Sequence, residues 1–195
     1  MPDATLHKQR QATHRDGAES PGEDGDIIAA CVQGDRDGQR AIYKQHSSSV
    51  YRLMFRLVGR DNAEDLTQQV FLRLFCSIGK FSGRSSFSTW LYRLATNEAL
   101  QFLRRERRRP MGVICCEPVD GRRTGQLDME DAELMDWAVS QLATDDRTVF
   151  VLKEMHGLSY HEIALVVDIA EGTVASRLNR ARRALLELLR PVVDH

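Results

Sequence analysis

The sequence predicts an all-α protein made of two small helical domains joined by a flexible linker, and three observations favour this class. Apolar residues recur at steps of three and four along most of the chain, as on one face of an α-helix. Alternation of apolar and polar residues, typical of β-strands, never continues beyond four residues. Segments without helical spacing separate a disordered tail at 1–24, a first domain at 25–109, a linker at 110–128 and a second domain at 129–192.

The composition is that of an ordinary folded protein, with 42% hydrophobic and 28% charged residues among 195. No apolar run reaches the roughly 18 residues of a membrane helix, and the N-terminus lacks the apolar core of a signal peptide. We therefore expect a cytoplasmic protein with no direct membrane insertion. The four cysteines form no CxxC pair, which predicts reduced thiols, with Cys31 and Cys76 packed as small apolar groups.

Charged residues are segregated along the chain, although the net charge is only −1. Residues 104–109 read Arg-Arg-Glu-Arg-Arg-Arg, and a second group of arginines lies within 177–183. We expect two basic surfaces of the kind that attracts nucleic-acid phosphates. The acidic stretch at 128–136 contains no lysine or arginine, so it is suited to shield a basic surface in the free protein.

Four helices are expected in the first domain. A short helix follows Asp26, and a long second helix ends at Gly59, a residue type favoured just after a helix. Asp61 is predicted to cap the third helix, with Glu64 completing a capping box. The fourth helix runs into the first arginine group and stops at Pro110, because the residue before proline disfavours helical geometry.

The second domain is expected to end in a helix-turn-helix. After one initial helix, a second runs from about 145 to 156 and breaks at Gly157. Ser159 and Glu162 have the spacing of a capping box for a short helix, and a tight turn leads to the last helix at 173–189. A short helix, a turn and a longer helix are the proportions of a DNA-binding helix-turn-helix.

The last helix has two chemically different faces. Its predicted core face consists of Val174, Leu178, Ala181, Leu185 and Leu188. Its outer face carries Ser176, Asn179, Arg180 and Arg183, with Arg177 and Arg182 on its two flanks. Asparagine can pair with adenine and arginine with guanine, which predicts base reading in a major groove. The alternative is a solvated amphipathic helix with a generic basic face, but this face carries no compensating acids and follows a complete capped helix-turn-helix.

The segment LSYHEIALVVDIAEGTVASRLNRARRALLELL resembles the extracytoplasmic-function (ECF) sigma factors of the sigma-70 family, and the likeness covers roughly 25–192. The resemblance implies a non-enzymatic subunit that binds core RNA polymerase and promoter DNA, is controlled by an anti-sigma factor, and needs no cofactor or small-molecule substrate. Ser176, Asn179 and Arg180 would read bases of the minus-thirty-five element. The full set implied at this element is Thr173, Ser176, Arg177, Asn179, Arg180, Arg182 and Arg183. Ala175 stands where the family often has a basic residue.

The segment DNAEDLTQQVFLRLF is similar to the family helix that docks on the clamp of the polymerase β′ subunit. Its polar residues lie beside an apolar stripe, as a helix-helix interface requires. The implied polymerase-binding residues are Asp61, Glu64, Asp65, Leu66, Gln68, Gln69, Val70 and Phe71. Gln69 stands where the family usually has an acid. Alternatively, Leu66, Val70 and Leu74 belong to the domain core, so that core and partner surface share one helix.

The segment FSGRSSFSTWLYRLATNEALQFLRR resembles the element that opens the minus-ten region and holds it as a single strand. The implied DNA-binding residues are Arg84, Arg93, Asn97, Gln101, Arg104 and Arg105. The loop at 81–86 is suited to hold an extruded base, and stacking on aromatic side chains is a common means of binding single strands. Trp90 is nevertheless predicted to lie in the core, because it shares a helix face with Leu94.

Two other classes of protein fit the sequence less well. A helix-turn-helix repressor or activator would leave the whole first domain unexplained, and co-purification with polymerase would separate the two classes. A metal protein or enzyme would need a site such as Cys115, Cys116, His156 and His161, whose spacing fits no metal-ligand pattern. His156 precedes Gly157 and is more simply explained as a partner of a helix C-terminus.

Overall fold

A computed structural model of the chain describes residues 23–108 and 131–193. Every regular element in these two ranges is helical, which confirms the predicted all-α class. The predicted tail at 1–24, except its last two residues, and the predicted linker at 110–128 lie outside the described residues. The α-helices are α1 Glu23–Val32, α2 Arg36–Val58, α3 Arg60–Ser77, α4 Phe87–Arg108, α5 Asp131–Gln141, α6 Thr144–Phe150, α7 Tyr160–Val167 and α8 Glu171–Val193.

The boundary between α2 and α3 differs from the sequence prediction. Gly59 ends α2 as expected, with its N–H donating to the Phe55 carbonyl at 3.0 Å, but the same residue also precedes the first residue of α3. Its φ of 87° is in the region that glycine adopts at little cost, so the chain changes direction within one residue. Asp61 therefore lies inside the first turn of α3, and the predicted capping box with Glu64 is wrong.

The core of the first domain is formed by one face from each of α2, α3 and α4. Apolar side chains on all three helices are buried, which removes them from water and supplies the main stabilising term. The contributing residues include Val50, Leu53, Met54, Leu57, Leu66, Val70, Phe71, Leu74, Leu91, Ala95 and Ala99. Cys31 belongs to this core as predicted, but Cys76 is exposed on α3, so its predicted packing is wrong.

The second domain follows the sequence prediction closely. The helix predicted at 145–156 is α6 continued by one π-helical segment, Val151–Met155, and Gly157 follows with a φ of 70°. In α7 the capping box is confirmed: the Ser159 hydroxyl accepts from the Glu162 N–H at 3.2 Å, and the Glu162 carboxylate accepts from the Ser159 N–H at 2.8 Å. The turn before α8 includes Asp168, which has a φ of 56°.

Removing this cap should destabilise the domain measurably. Ser159→Ala leaves the Glu162 N–H without its side-chain acceptor, which we expect to lower the free energy of unfolding by about 1 kcal/mol. Ser48→Ala, at an exposed position inside α2, is the matched control and should be neutral or slightly stabilising. Urea unfolding of the three proteins measures the difference. Equal midpoints for Ser159→Ala and the wild type would show that the cap contributes nothing.

The two domains pack against each other within the described ranges. Helix α7 lies on α4, while α5, α6 and the π-helical segment contact α2. Polar contacts cross this boundary: the Thr89 hydroxyl donates to the Glu162 carboxylate at 3.2 Å, and Arg56 forms an ion pair with Asp136. Arg107 also donates to the Thr144 hydroxyl at 2.7 Å. Asp136 of the acidic stretch thus pairs with Arg56, which belongs to neither of the two predicted basic surfaces.

His156 lies at this domain boundary. Its Nδ1 is 3.0 Å from the Tyr92 hydroxyl of α4, and its Nε2 is buried without a hydrogen-bond partner among the described residues. The ring therefore contacts the other domain, while the backbone of His156 ends the π-helical segment as predicted, with its N–H donating to the Lys153 carbonyl. Burial, together with the positive charges of Arg52 and Arg56 on α2, lowers the pKa of His156 to about 4.

Candidate nucleic-acid interface

The predicted division of α8 into two faces is confirmed. Val174, Leu178, Ala181 and Leu185 are buried against the other helices of the domain, and Leu188 is half-buried. Opposite them, the exposed side chains are Thr173, Ser176, Asn179, Arg180 and Arg183. Because the core residues fix the rotation of the helix, the outer face is held toward solvent as one continuous polar and basic surface.

Acidic side chains from neighbouring elements contact the arginines of this surface. Arg177 pairs with Asp145 at 2.8 Å, and Arg182 pairs with Glu154 at 2.6 Å. Arg180 donates twice to Asp146, from Nε at 3.1 Å and from Nη2 at 2.7 Å. These acids could not be recognised from the sequence because they lie 28 to 34 residues from their partners. The expected absence of compensating acids was therefore wrong for three arginines of α8.

The second basic surface follows one side of α4. Arg93, Asn97, Gln101 and Arg105 are spaced four residues apart, so they lie along one stripe of the helix, which Arg104 borders. All are exposed except the half-buried Gln101, whose side chain accepts from Arg105 at 3.5 Å. Arg84 is exposed in the loop before α4. The structure thus brings the predicted minus-ten residues of α4 together as one basic stripe.

An aromatic cluster holds the loop at the start of α4. Phe81 contacts Phe87 with ring centroids 5.6 Å apart and Trp90 with centroids 5.5 Å apart. Trp90 is half-buried against the core, as the sequence predicted. Tyr92 points to the domain boundary, where its hydroxyl meets His156. Neither Trp90 nor Tyr92 is therefore a free stacking platform in this arrangement.

The outer face of α3 differs from the predicted apolar stripe. Leu66, Val70 and Phe71 are buried in the core, so these three predicted polymerase contacts are not surface residues. The exposed members of the predicted set are Asp61, Glu64, Asp65, Gln68 and Gln69. Leu72 lies among them with 67% of its surface exposed. It was not predicted as part of this face, although it follows Gln68 by one helical turn. The candidate interface on α3 is thus a polar face around one exposed leucine.

An open groove continues this face onto α2. Tyr43 and Tyr51 line one side of it, and Glu64 and Gln68 of α3 line the other. Both tyrosines are at least 40% exposed, a high value for aromatic side chains in the middle of a helix. The face and the groove together offer aromatic, aliphatic and acidic groups to a partner.

Of the four residues considered for a metal site, two have other contacts and two lie outside the described residues. His161 lies 3.0 Å from the Glu171 carboxylate, and His156 contacts Tyr92. Cys115 and Cys116 lie outside the described residues. Within 23–108 and 131–193, no three His, Cys, Asp or Glu side chains gather in a way that could hold a metal ion. In the same ranges, no helix combines the length and apolar character needed to cross a membrane.

A capped helix-turn-helix with an exposed basic second helix places the chain in the class of helical DNA-binding proteins. Comparison with known families matches residues 42–109 to Sigma-70 region 2 and residues 133–185 to Sigma-70, region 4. Over 180 residues the chain is 30% identical to the ECF RNA polymerase sigma-E factor of Haemophilus influenzae, covering 86% of this chain and 95% of that protein.

Two further proteins are similar over most of their length. The ECF RNA polymerase sigma factor SigC of Mycobacterium tuberculosis is 34% identical over 163 residues, covering 82% of this chain and 88% of that protein. The sigma factor RpoE of Bartonella quintana, solved in complex with the anti-sigma factor NepR, is 28% identical with a TM-score of 0.62, covering 77% of this chain and 96% of that chain. The chain belongs to the ECF sigma factors of the sigma-70 family.

Proposed function

We propose that this protein is an alternative sigma factor that binds core RNA polymerase, directs initiation at specific promoters and is controlled by an anti-sigma factor. The observation that carries the proposal is the presence, on one chain, of both family regions with their candidate binding faces exposed. A helix-turn-helix repressor would need only the second domain. We further propose that the protein acts in the cytoplasm and catalyses no reaction of its own.

Helix α8 is proposed to read the minus-thirty-five element. Ser176, Asn179 and Arg180 are exposed near the start of the helix and would contact base edges in the major groove. The remaining members of the set, Thr173, Arg177, Arg182 and Arg183, would contact mainly phosphates, which position the helix without reading sequence. Exchange of Asp145 and Glu154 for DNA phosphates would keep Arg177 and Arg182 paired with negative charge in the free and the bound state.

The stripe on α4 is proposed to bind the minus-ten element as a single strand. Three arginines on this helix, with Arg84 before it, supply backbone attraction, and Asn97 and Gln101 lie between them as hydrogen-bonding groups. The predicted base pocket at 81–86 would lie next to this stripe. The aromatic cluster packs Phe81, at the start of the loop, against Phe87 and Trp90 of α4.

The outer face of α3 is proposed to dock on the β′ clamp of polymerase. Leu72 would be the apolar anchor, and Asp61, Glu64, Asp65, Gln68 and Gln69 would surround it as a polar rim. Leu66, Val70 and Phe71 would contribute by fixing the helix from the core side. The NepR complex of the Bartonella relative supports the further proposal that an anti-sigma factor binds this chain.

Run-off transcription with purified core polymerase on genomic fragments tests the whole proposal. We expect transcripts from a limited set of start sites that depend on the addition of this protein, and addition of core polymerase alone is the control. A protein that shifts promoter fragments by itself but directs no initiation with core polymerase would be a separate regulator.

An arginine that reads a base and an arginine that contacts a phosphate should respond differently to mutation. Arg180→Ala should cost about 1 to 3 kcal/mol of promoter affinity and relax the preference at one position. Arg182→Ala should weaken all sequences alike and flatten the salt dependence, because it removes one phosphate contact. Titrations of the polymerase complex on a promoter and its single-base variants, at two salt concentrations, compare the two. Equal and sequence-independent losses would show that Arg180 contacts only phosphate.

A further inference from the structure

Asp146 holds the guanidinium of Arg180 from the side of the protein. Asp146 lies in the first turn of α6, and its side chain is 13% exposed, whereas the side chain of Arg180 is 57% exposed on α8. The neighbouring acid, Asp145, is different: its side chain is 61% exposed, and it pairs with Arg177 through one contact of 2.8 Å. Asp146 is thus a largely buried carboxylate whose oxygens both face a single arginine.

The two hydrogen bonds occupy one particular edge of the guanidinium. Donation from Nε at 3.1 Å and from Nη2 at 2.7 Å uses the side-on edge of Arg180. The guanidinium is planar, and its end-on edge presents parallel N–H groups from Nη1 and Nη2. Nη2 carries two hydrogens: one points to Asp146, and the other lies on the end-on edge beside Nη1. The contacts with Asp146 therefore leave the end-on pair available. The free pair is the one that matches O6 and N7 of guanine in the major groove.

We propose that Asp146 is a positioning residue, which fixes the plane of Arg180 for guanine recognition and so sets base preference at one position of the minus-thirty-five element. The inference rests on the proposed reading of DNA by α8. An unrestrained arginine side chain loses much rotamer freedom when it binds a base. A guanidinium that a carboxylate already holds in place loses less. Hydrogen bonding to Asp146 also raises the pKa of Arg180.

The carboxylate of Asp146 should, in contrast, weaken binding to DNA that lacks the preferred base. Its negative charge near the phosphates opposes binding to any sequence, whereas its effect on Arg180 favours one base. Loss of Asp146 should therefore lower discrimination without lowering affinity for unrelated DNA. An acid that only stabilised the fold would change binding to all sequences together.

The test uses the full chain assembled with core polymerase, titrated on a promoter duplex, on its single-base variants in the minus-thirty-five element and on an unrelated duplex. Asp146→Asn should reduce the preference for guanine at one position about tenfold, the order of discrimination that a bidentate contact supplies. Binding to the unrelated duplex should stay equal or become slightly tighter. Asp145→Asn removes the same charge one residue away and should leave the base preference unchanged.

Two further variants test whether the loss of base preference in Asp146→Asn acts through the planar guanidinium of Arg180. Arg180→Lys keeps the charge but lacks the planar fork, so it should lose preference at the same position. The double variant should then lose little more than either single variant, because the two side chains act as one unit. If Asp146→Asn does not fold, Asp146→Glu, which keeps the charge and displaces the carboxylate by one methylene, is measured in its place with the same expected loss.

An unchanged base preference in a folded Asp146 variant would overturn the inference, and so would an equal loss on all duplexes. Additive losses in the double variant would also overturn it, because they would separate Asp146 from Arg180. If the wild-type complex showed no base preference anywhere in the minus-thirty-five element, the proposed function of α8 would fail first, and the inference with it.

Discussion

Replacing Asp65 with arginine is expected to abolish binding to core RNA polymerase. Asp65 is exposed on the outer face of α3, between Asp61 and Gln68 and two turns before Leu72. A charge within a protein interface that loses its partner typically costs about 2 to 5 kcal/mol, and reversal adds repulsion between like charges. A loss of about 2 to 5 kcal/mol corresponds to a decrease in affinity of about thirtyfold to several thousandfold, before the repulsion is added. A pull-down of the full chain with immobilised core polymerase measures it.

The control for this prediction is a charge reversal outside the docking face. Asp26→Arg changes an exposed acid on α1 by the same two charges and should leave polymerase binding near that of the wild type. Circular dichroism and thermal melting establish that both variants are folded. Full retention of the folded Asp65→Arg variant by polymerase would show that α3 docks elsewhere or not at all.

Acidification from pH 7 to pH 4 is expected to remove on the order of 3 kcal/mol from the free energy of unfolding through His156 alone, at about 1.4 kcal/mol for each unit of pKa shift. The pKa of this imidazole falls from 6.5 to about 4 because of burial, with Arg52 and Arg56 adding to the effect. The folded protein therefore favours the neutral ring. Its contribution is complete above pH 6.5 and is lost as the pH falls through 4.

Urea unfolding at several pH values isolates this contribution. His156→Gln lacks the titrating group and should show a flatter pH dependence than the wild type, while carboxylates that titrate in both proteins cancel in the difference. Parallel curves for the wild type and His156→Gln would mean that the ring is accessible to protons in the folded protein.

Local rules predicted most of the helices. The capping box at Ser159, the helix ends at Gly59 and Gly157, and the buried face of α8 depend on residues within one or two turns of each other. Such short-range patterns can be read from a single sequence. The cap at Asp61 failed because Gly59 joins α2 to α3 within one residue, and the sequence pattern alone does not show so short a connection.

Long-range contacts could not be predicted in the same way. Periodicity gave an apolar stripe on α3 but did not show that α2 and α4 cover Leu66, Val70 and Phe71 and leave Leu72 exposed. Likewise, the partner of Arg180 is 34 residues away, and the partner of His156 is 64 residues away. Which acid meets which arginine depends on how the helices cross, and helix crossing is a property of the packed domain.

The packing of α7 on α4 limits the reach of the protein. Promoter elements named for positions ten and thirty-five are centred about 25 base pairs apart, roughly 85 Å along straight DNA at about 3.4 Å per base pair. A compact body of about 150 residues has a radius of gyration near 15 Å, and is thus only about half as wide as that span. As long as Thr89 bonds to Glu162 and Tyr92 to His156, α4 and α8 cannot bridge such a distance. If α4 and α8 bind the two elements as proposed, each bond across this boundary would have to break first and would lower the affinity for a whole promoter.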